Sequence, residues 1–319
     1  MRNITKIIFI LSLCATGHAT ANNRACAKER CKPRKMNTNP CKPYCGIRGS
    51  FIGDTAHQKQ YSKNYGYNST TLGGVYGVEG YGGDGSSAGI AFANTNSSLH
   101  EDTQLRAVRL FGYHIMLYGN TKFASDSYFM EWMLSGLTNK NKISQLLAPN
   151  SQIYGATTSY RTSQGLARIN LGQSTENDCW KFTLVEHLSG GLLYQENYLT
   201  HNSSAARNYT PRRWSNVLTV GGGIRMETTP KNYWLKGTGA LRVMGMYDVV
   251  RTIQETTANF INGLENFTLS SAPARWAFQA GLNYTVLCVG CVNLTFSYDF
   301  ELRTKYTNNA AAIKLSLFF

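Results

Sequence analysis

The chain has 319 residues; 16% are charged and 12% aromatic, with 30 glycines, 19 tyrosines and 7 prolines. Charge below the usual quarter, with this much Tyr and Gly, argues against a typical cytosolic enzyme and for many strands joined by turns. After Ala15 no uninterrupted apolar stretch is long enough for a transmembrane helix, so a chain of this kind crosses a membrane only as a closed barrel, because lipid cannot satisfy an open sheet edge.

Residues 1–21 read as a secretory signal: Arg2 and Lys6, the apolar run Ile7 to Ala15, and the small-x-small site Ala19-Thr20-Ala21. Lipidation at Cys14 is opposed by the bulky Leu13 before it. Residues 22–45 concentrate the formal charge, which is +14 over the whole chain: Arg24, Lys28, Arg30, Lys32, Arg34, Lys35 and Lys42 stand against Glu29. The same segment holds Cys26, Cys31, Cys41 and Cys45. An exported, basic, proline-containing segment without apolar periodicity is expected to be an oxidised loop carrying disulfides. The cysteine spacing is loose for zinc, and neither a metal nor another cofactor is expected. Export makes nucleic acid an improbable partner; anionic lipid headgroups or a protein suit the charge better.

From Gly46 onward the pattern is strand, connection, strand. Twelve strands are expected: 46–58, 66–79, 87–94, 105–118, 128–139, 153–171 with an irregular middle, 180–194, 214–226, 233–250, 274–286, 292–302 and 313–319. The eleventh alternates without a fault, Val292, Leu294, Phe296, Tyr298, Phe300 and Leu302 on one face and Asn293, Thr295, Ser297, Asp299 and Glu301 on the other, as period-two strand geometry requires. Connections after even strands read as short and those after odd strands as mostly longer, notably 140–152, 195–213 and 251–273. That sorting, with an even strand number, points to a transmembrane, antiparallel, up-and-down β-barrel with the apolar face on lipid and the polar face on the lumen. A charge on the lipid face near mid-membrane costs ~2–4 kcal/mol for Arg or Lys, which places Glu131, Lys236, Arg242, Asp299, Glu301 and Lys314 in the lumen, with Asp299 and Glu301 beside Lys314.

Ile47-Arg-Gly-Ser-Phe51, Leu72-Gly-Gly-Val-Tyr-Gly-Val-Glu79, Ser87 to Asn94, Leu110-Phe-Gly-Tyr113, Tyr128 to Leu137, Val220-Gly-Gly-Gly-Ile-Arg225, Ala280 to Tyr284 and the ending Tyr298-Asp-Phe-Glu301 to Phe319 occur in that order. Together they resemble the autotransporter β-domain, the translocator of type V secretion. The resemblance implies a twelve-stranded barrel over 46–319 in the bacterial outer membrane, inserted by the outer-membrane barrel assembly machinery. That machinery would read a terminal signal matched here by Ile313, Leu315, Leu317 and Phe319. The family's large passenger and pore helix have no counterpart in 22–45, where Pro33, Pro40 and Pro43 oppose a long helix; no substantial cargo is expected.

Two functions follow. One is a stand-alone barrel whose surface loops contact a host or surface ligand. The alternative is a passive pore with 22–45 as its plug. Catalysis is not expected: Asp54 and His57 lie close in sequence, but Glu186 and His187 are strand neighbours that point to opposite faces. Cys288 and Cys291 flank a hairpin turn, without the helix N-terminus that activates a redox Cys-x-x-Cys, and are expected to be a structural disulfide or two free thiols.

Overall fold

The computed structural model describes residues 44–59, 66–82, 86–101, 106–123, 127–147, 154–176, 180–200, 208–228, 238–252, 256–259, 266–269, 274–289 and 292–319. Twelve of its strands close one antiparallel barrel: β1 (Tyr44–Gln58), β2 (Tyr67–Tyr81), β3 (Ser87–Glu101), β4 (Arg106–Phe123), β5 (Tyr128–Leu147), β6 (Tyr154–Glu176), β7 (Trp180–Gln195), β8 (Arg213–Thr228), β9 (Thr238–Arg251), β10 (Trp276–Val289), β11 (Val292–Arg303) and β12 (Tyr306–Phe318). Each pairs with its chain neighbour, and β1 closes on β12 from Gly46 opposite Phe318 to Gln58 opposite Tyr306. Closure leaves no unpaired edge, as a spanning sheet needs. The Cys45 and Phe319 backbones exchange hydrogen bonds of 3.0 Å, fastening both ends of the barrel chain at one rim.

Alternation sets the two faces. On β7, Phe182, Leu184, Leu188 and Leu192 are exposed outward, whereas Thr183, Val185, His187, Ser189 and Leu193 are buried inward. Aromatic residues mark both margins of the outer apolar surface. Tyr194 packs on Trp214, and Tyr247 on Trp276, each at 4.8 Å between ring centroids, towards the rim opposite the termini; Phe123, Tyr128 and Phe319 stand exposed at the terminus-bearing rim. Such girdles are expected where a barrel meets the membrane–water interface.

Five strands run well beyond the sequence pattern; β12 begins at Tyr306 rather than Ile313. β3 continues to Glu101, β4 to Phe123, β5 to Leu147 and β6 to Glu176, with β6 reaching 23 residues. The expected loop 140–152 therefore shrinks to 148–153. The middle of β6 is regular: its pairing with β5 holds one register from Gln173 opposite Tyr128 to Tyr154 opposite Leu147. The extensions of β3 and β5 were hidden because the polarity of the faces reverses along them. Thr138, Lys140, Lys142 and Ser144 face outward and are exposed, while Leu137, Asn139, Asn141 and Ile143 face inward and are buried. Arg109 and Arg161 flank Lys142 and Lys140 outward on the neighbouring strands. There the outer surface faces water, so apolar side chains move to the inside.

Loop sorting by length persists in 196–212 and 252–275, both opposite the termini. Each contains a short ladder, Tyr198–Thr200 with Asn208–Thr210 and Thr256–Asn259 with Asn266–Leu269. The connection expected between 302 and 313 is instead a tight turn in which Lys305 takes a left-handed φ of 60°, as two-residue hairpin turns favour.

Glu186 departs from the facial rule: it is exposed on the outer face of β7 between Leu184 and Leu188. Leu188→Arg should lower stability in a lipid bilayer by ~2–4 kcal/mol, and Glu186→Leu should raise it; urea titration in liposomes measures both.

Candidate functional site

Chemistry-bearing side chains gather in the lumen, because every inward position of twelve strands faces the same enclosed space. Charges at positions i and i+2 of one strand share that face, and they meet charges from neighbouring strands. Arg225 and Glu227 on β8 illustrate this: Arg225 Nε donates to Glu227 Oε1 at 2.6 Å, and Arg225 Nη1 reaches across to Glu131 Oε1 on β5 at 3.1 Å. Asn170 Nδ2 on β6 donates to the other Glu131 oxygen at 3.1 Å. Asn170 Oδ1 lies 2.8 Å from His187 Nδ1 and accepts from Arg168 Nε at 3.4 Å, while His187 Nε2 is 3.0 Å from Ser189 Oγ. The Arg225 guanidinium also lies 5.9 Å from the Phe129 ring centroid, and Phe129 itself packs over Gly172, where an added Cβ would meet the ring at 2.2 Å.

A second group joins β9 to β11 over β10. Arg242 Nη2 donates to Asp299 Oδ1 at 2.9 Å. Arg242, Gly281 and Asp299 stand in one register row. A Cβ at Gly281 would lie 2.4 Å from that carboxylate oxygen, so the glycine is what lets the pair pass over the intervening strand. Nearer the far rim, Arg303 donates to Asp248 Oδ2 at 2.8 Å and to Glu301 Oε1 at 2.6 Å. Thr219 donates to Asp248 Oδ1 at 2.9 Å, and Gln279 to Glu301 Oε2 at 3.1 Å. A third group couples Arg48 on β1 to Glu79 and to the Tyr81 hydroxyl on β2.

The lumen is not polar throughout. Towards the rim opposite the termini, Tyr67, Leu99, Val108, Leu110, Leu137, Ile143, Tyr160, Leu193, Tyr198 and Tyr306 form a buried apolar cluster inside the barrel. Tyr67 is 0% exposed. Tyr198 comes from the connection after β7 and stacks on Tyr160 at 4.3 Å, and Thr158 Oγ1 on β6 donates to Leu199 O at 2.9 Å. The connection thus folds onto the barrel mouth. The expectation of a wholly polar lumen is corrected here: where the strands project past the apolar outer surface, the interior becomes a small hydrophobic core.

The structure places Glu131, Arg242, Asp299, Glu301 and Lys314 on inward positions. It does not bring Lys314 to Asp299 and Glu301. Lys314 is level with Ser50 and Thr295, whereas Asp299 is level with Ala310 and Glu301 with Asn308; β12 displaces them along its length. Lys236, Cys26, Cys31, Cys41 and Cys291 lie outside the described residues, as does the Cys288 side chain, although the Cys288 backbone pairs with Asn293. Cys45 is exposed on β1 without a disulfide partner among the described residues. Arg48, Glu79, Arg168, Arg225, Glu227, Asp248 and Arg303 were not singled out from sequence, yet the parity of each within its strand marks it as inward. Asp54 is buried inward and His57 is exposed outward, hydrogen-bonded to Asn68 Oδ1 at 2.7 Å, so those two are not an acid–base pair. Glu186 and His187 likewise face opposite sides.

Truncating one member of a buried ion pair leaves a partner charge uncompensated and costs ~3–5 kcal/mol. Arg225→Met should show that loss in urea unfolding. The triple variant Arg225→Met, Glu131→Gln, Glu227→Gln should recover most of it.

An autotransporter β-domain family model matches residues 47–299. No match was found among curated protein sequences. Among solved structures, the translocator domain of the autotransporter NalP from Neisseria meningitidis is similar with a TM-score of 0.69 and 13% identity, covering 86% of this chain and 88% of that one. The β-domain of the Bordetella autotransporter BrkA gives a TM-score of 0.56 at 12% identity, with 85% and 98% covered. The transport unit of the autotransporter AIDA-I from Escherichia coli gives 0.54 at 13% identity, with 88% and 91% covered.

Proposed function

Because the chain belongs to the autotransporter β-domain family, an outer-membrane barrel family of transport and secretion, we propose that it acts as a non-conducting outer-membrane anchor that displays its long connections to a host or surface ligand. The observation that carries this reading is the tyrosine and aliphatic cluster inside the mouth, capped by the stacked pair Tyr160 and Tyr198. On this reading the side chains packed in the mouth close it to ions and to an extended chain. The two connections that carry their own ladders, 196–212 and 252–275, stand together on the rim opposite the termini, and Asn208–Thr210 lies against Thr256–Asn259. A pair of ordered hairpins offers a contact surface at a smaller entropic cost than free loops.

This orientation puts Arg212, which is exposed, on the cell surface. Trypsin added to intact cells should cleave there; full protection of a barrel shown to be in the outer membrane would reverse the orientation. In planar bilayers the native protein should not conduct. The double variant Tyr160→Ala, Tyr198→Ala should open the mouth and give measurable single-channel steps. Steady conductance by the native protein would restore the pore reading.

Assembly belongs to the same proposal. Ile313, Leu315, Leu317 and Phe319 all point outward and are 40–66% exposed, which presents an unbroken apolar and aromatic edge of β12 to the assembly machinery. Phe319 also makes both hydrogen bonds to Cys45. Deleting Phe319 should reduce the heat-modifiable, membrane-inserted fraction several-fold in cells. Normal insertion of that truncation would remove the terminal residue from the signal.

A further inference from the structure

The half of the lumen nearer the terminus-bearing rim holds a cavity of about 770 Å³, including the space open to solvent. Its polar wall contains Arg48, Lys314, Arg168 and Glu131, and its apolar wall Ile52, Val75, Met116, Tyr118 and Met133. Glu79 pairs with Arg48, and Glu131 already accepts from Arg225 at 3.1 Å. Arg48 is 7% exposed; its Nη2 binds Glu79 and Tyr81, but its Nε–H has no hydrogen-bond partner among the described residues. A buried donor left in that state is costly. Lys314 lies on the neighbouring strand, opposite Ser50 and so two residues along from Arg48 on the same inward face. Two buried like charges at such spacing repel; Glu79 offsets one of them, and an anion placed between them meets the open Arg48 donor. The wall beyond them is a patch of branched, sulfur-bearing and aromatic side chains rather than the polar lining of a water channel.

We propose that this cavity binds an anionic amphiphile, its acidic headgroup between Arg48 and Lys314 and a short hydrocarbon tail along Ile52, Val75 and Met116. The headgroup supplies two acceptor oxygens, one for the Arg48 Nε–H and one for the Lys314 ammonium. The tail removes apolar wall from water, which a free inorganic anion does not. The combination selects for charge and tail together.

Equilibrium dialysis of the full chain in zwitterionic nanodiscs against radiolabelled octanoate tests the site, with empty nanodiscs correcting for partition into lipid. One saturable site per barrel is expected, displaced by unlabelled octanoate but neither by octanol nor by inorganic phosphate at the same concentration. Lys314→Gln removes one cation and Val75→Trp fills the tail path. Each should weaken binding tenfold or more while the barrel keeps its heat-modifiable migration, and Lys314→Arg should retain binding. If Lys314→Gln does not fold, Val75→Trp carries the same test from the opposite wall. Phosphate competing as well as octanoate would reduce the site to an adventitious ion only and overturn the amphiphile. So would the absence of saturable binding above empty discs, or binding by a folded Val75→Trp barrel equal to that of the native protein.

Discussion

The outer face of this sheet meets two solvents, and everything else follows from that. Over one part of the barrel it faces hydrocarbon, and Leu184, Leu188, Phe182 and their neighbours point outward. Over the projecting ends of β4 to β6 it faces water, and Arg109, Lys140, Lys142 and Arg161 point outward instead. Because a strand alternates strictly, the inner face is the complement of the outer one at every level. Along β4 to β6 the lumen therefore carries its charges beside the apolar outer surface and its apolar side chains beyond it. A single barrel contains both the polar interior of a membrane channel and a small core of the kind found in water-soluble proteins.

The two parts of that interior are braced by different means. In the charged half, ion pairs run between strands that are not neighbours in the sheet: Glu131 of β5 to Arg225 of β8, and Arg242 of β9 to Asp299 of β11. The second of these depends on Gly281, whose missing side chain is the passage over β10. Such cross-links resist changes in barrel cross-section, since widening the ring would separate charges held in a poorly screened space. In the apolar half, Tyr160 and Tyr198 join an external connection to the interior, so the mouth and the surface hairpins are mechanically one unit.

Strand number, antiparallel order, the two faces of each strand and the inward placement of Glu131, Arg242, Asp299, Glu301 and Lys314 were legible in the residues alone. Each depends only on period two, a local property of the chain, and on the cost of a charge in lipid. Glu186 shows the limit of the second rule, since it stands among leucines on the outer face. The lengths of β3 to β6 were not legible. A reader of one strand sees Lys140, Asn141 and Lys142 and infers a loop, because neither face of that stretch is consistently apolar.

Tertiary structure decided which inward residues meet. Lys314 was expected beside Asp299 and Glu301 but stands level with Thr295 and Ser50, because pairing register, not sequence parity, sets height along the barrel. Arg303 finds Asp248, and Arg225 finds Glu131, only once the sheet has closed. The sequence by itself determined what each strand shows to its two sides. The closed sheet alone decided how far those strands project from the membrane and which charges face one another across the lumen, because projection and register are relations between strands and no single strand carries them.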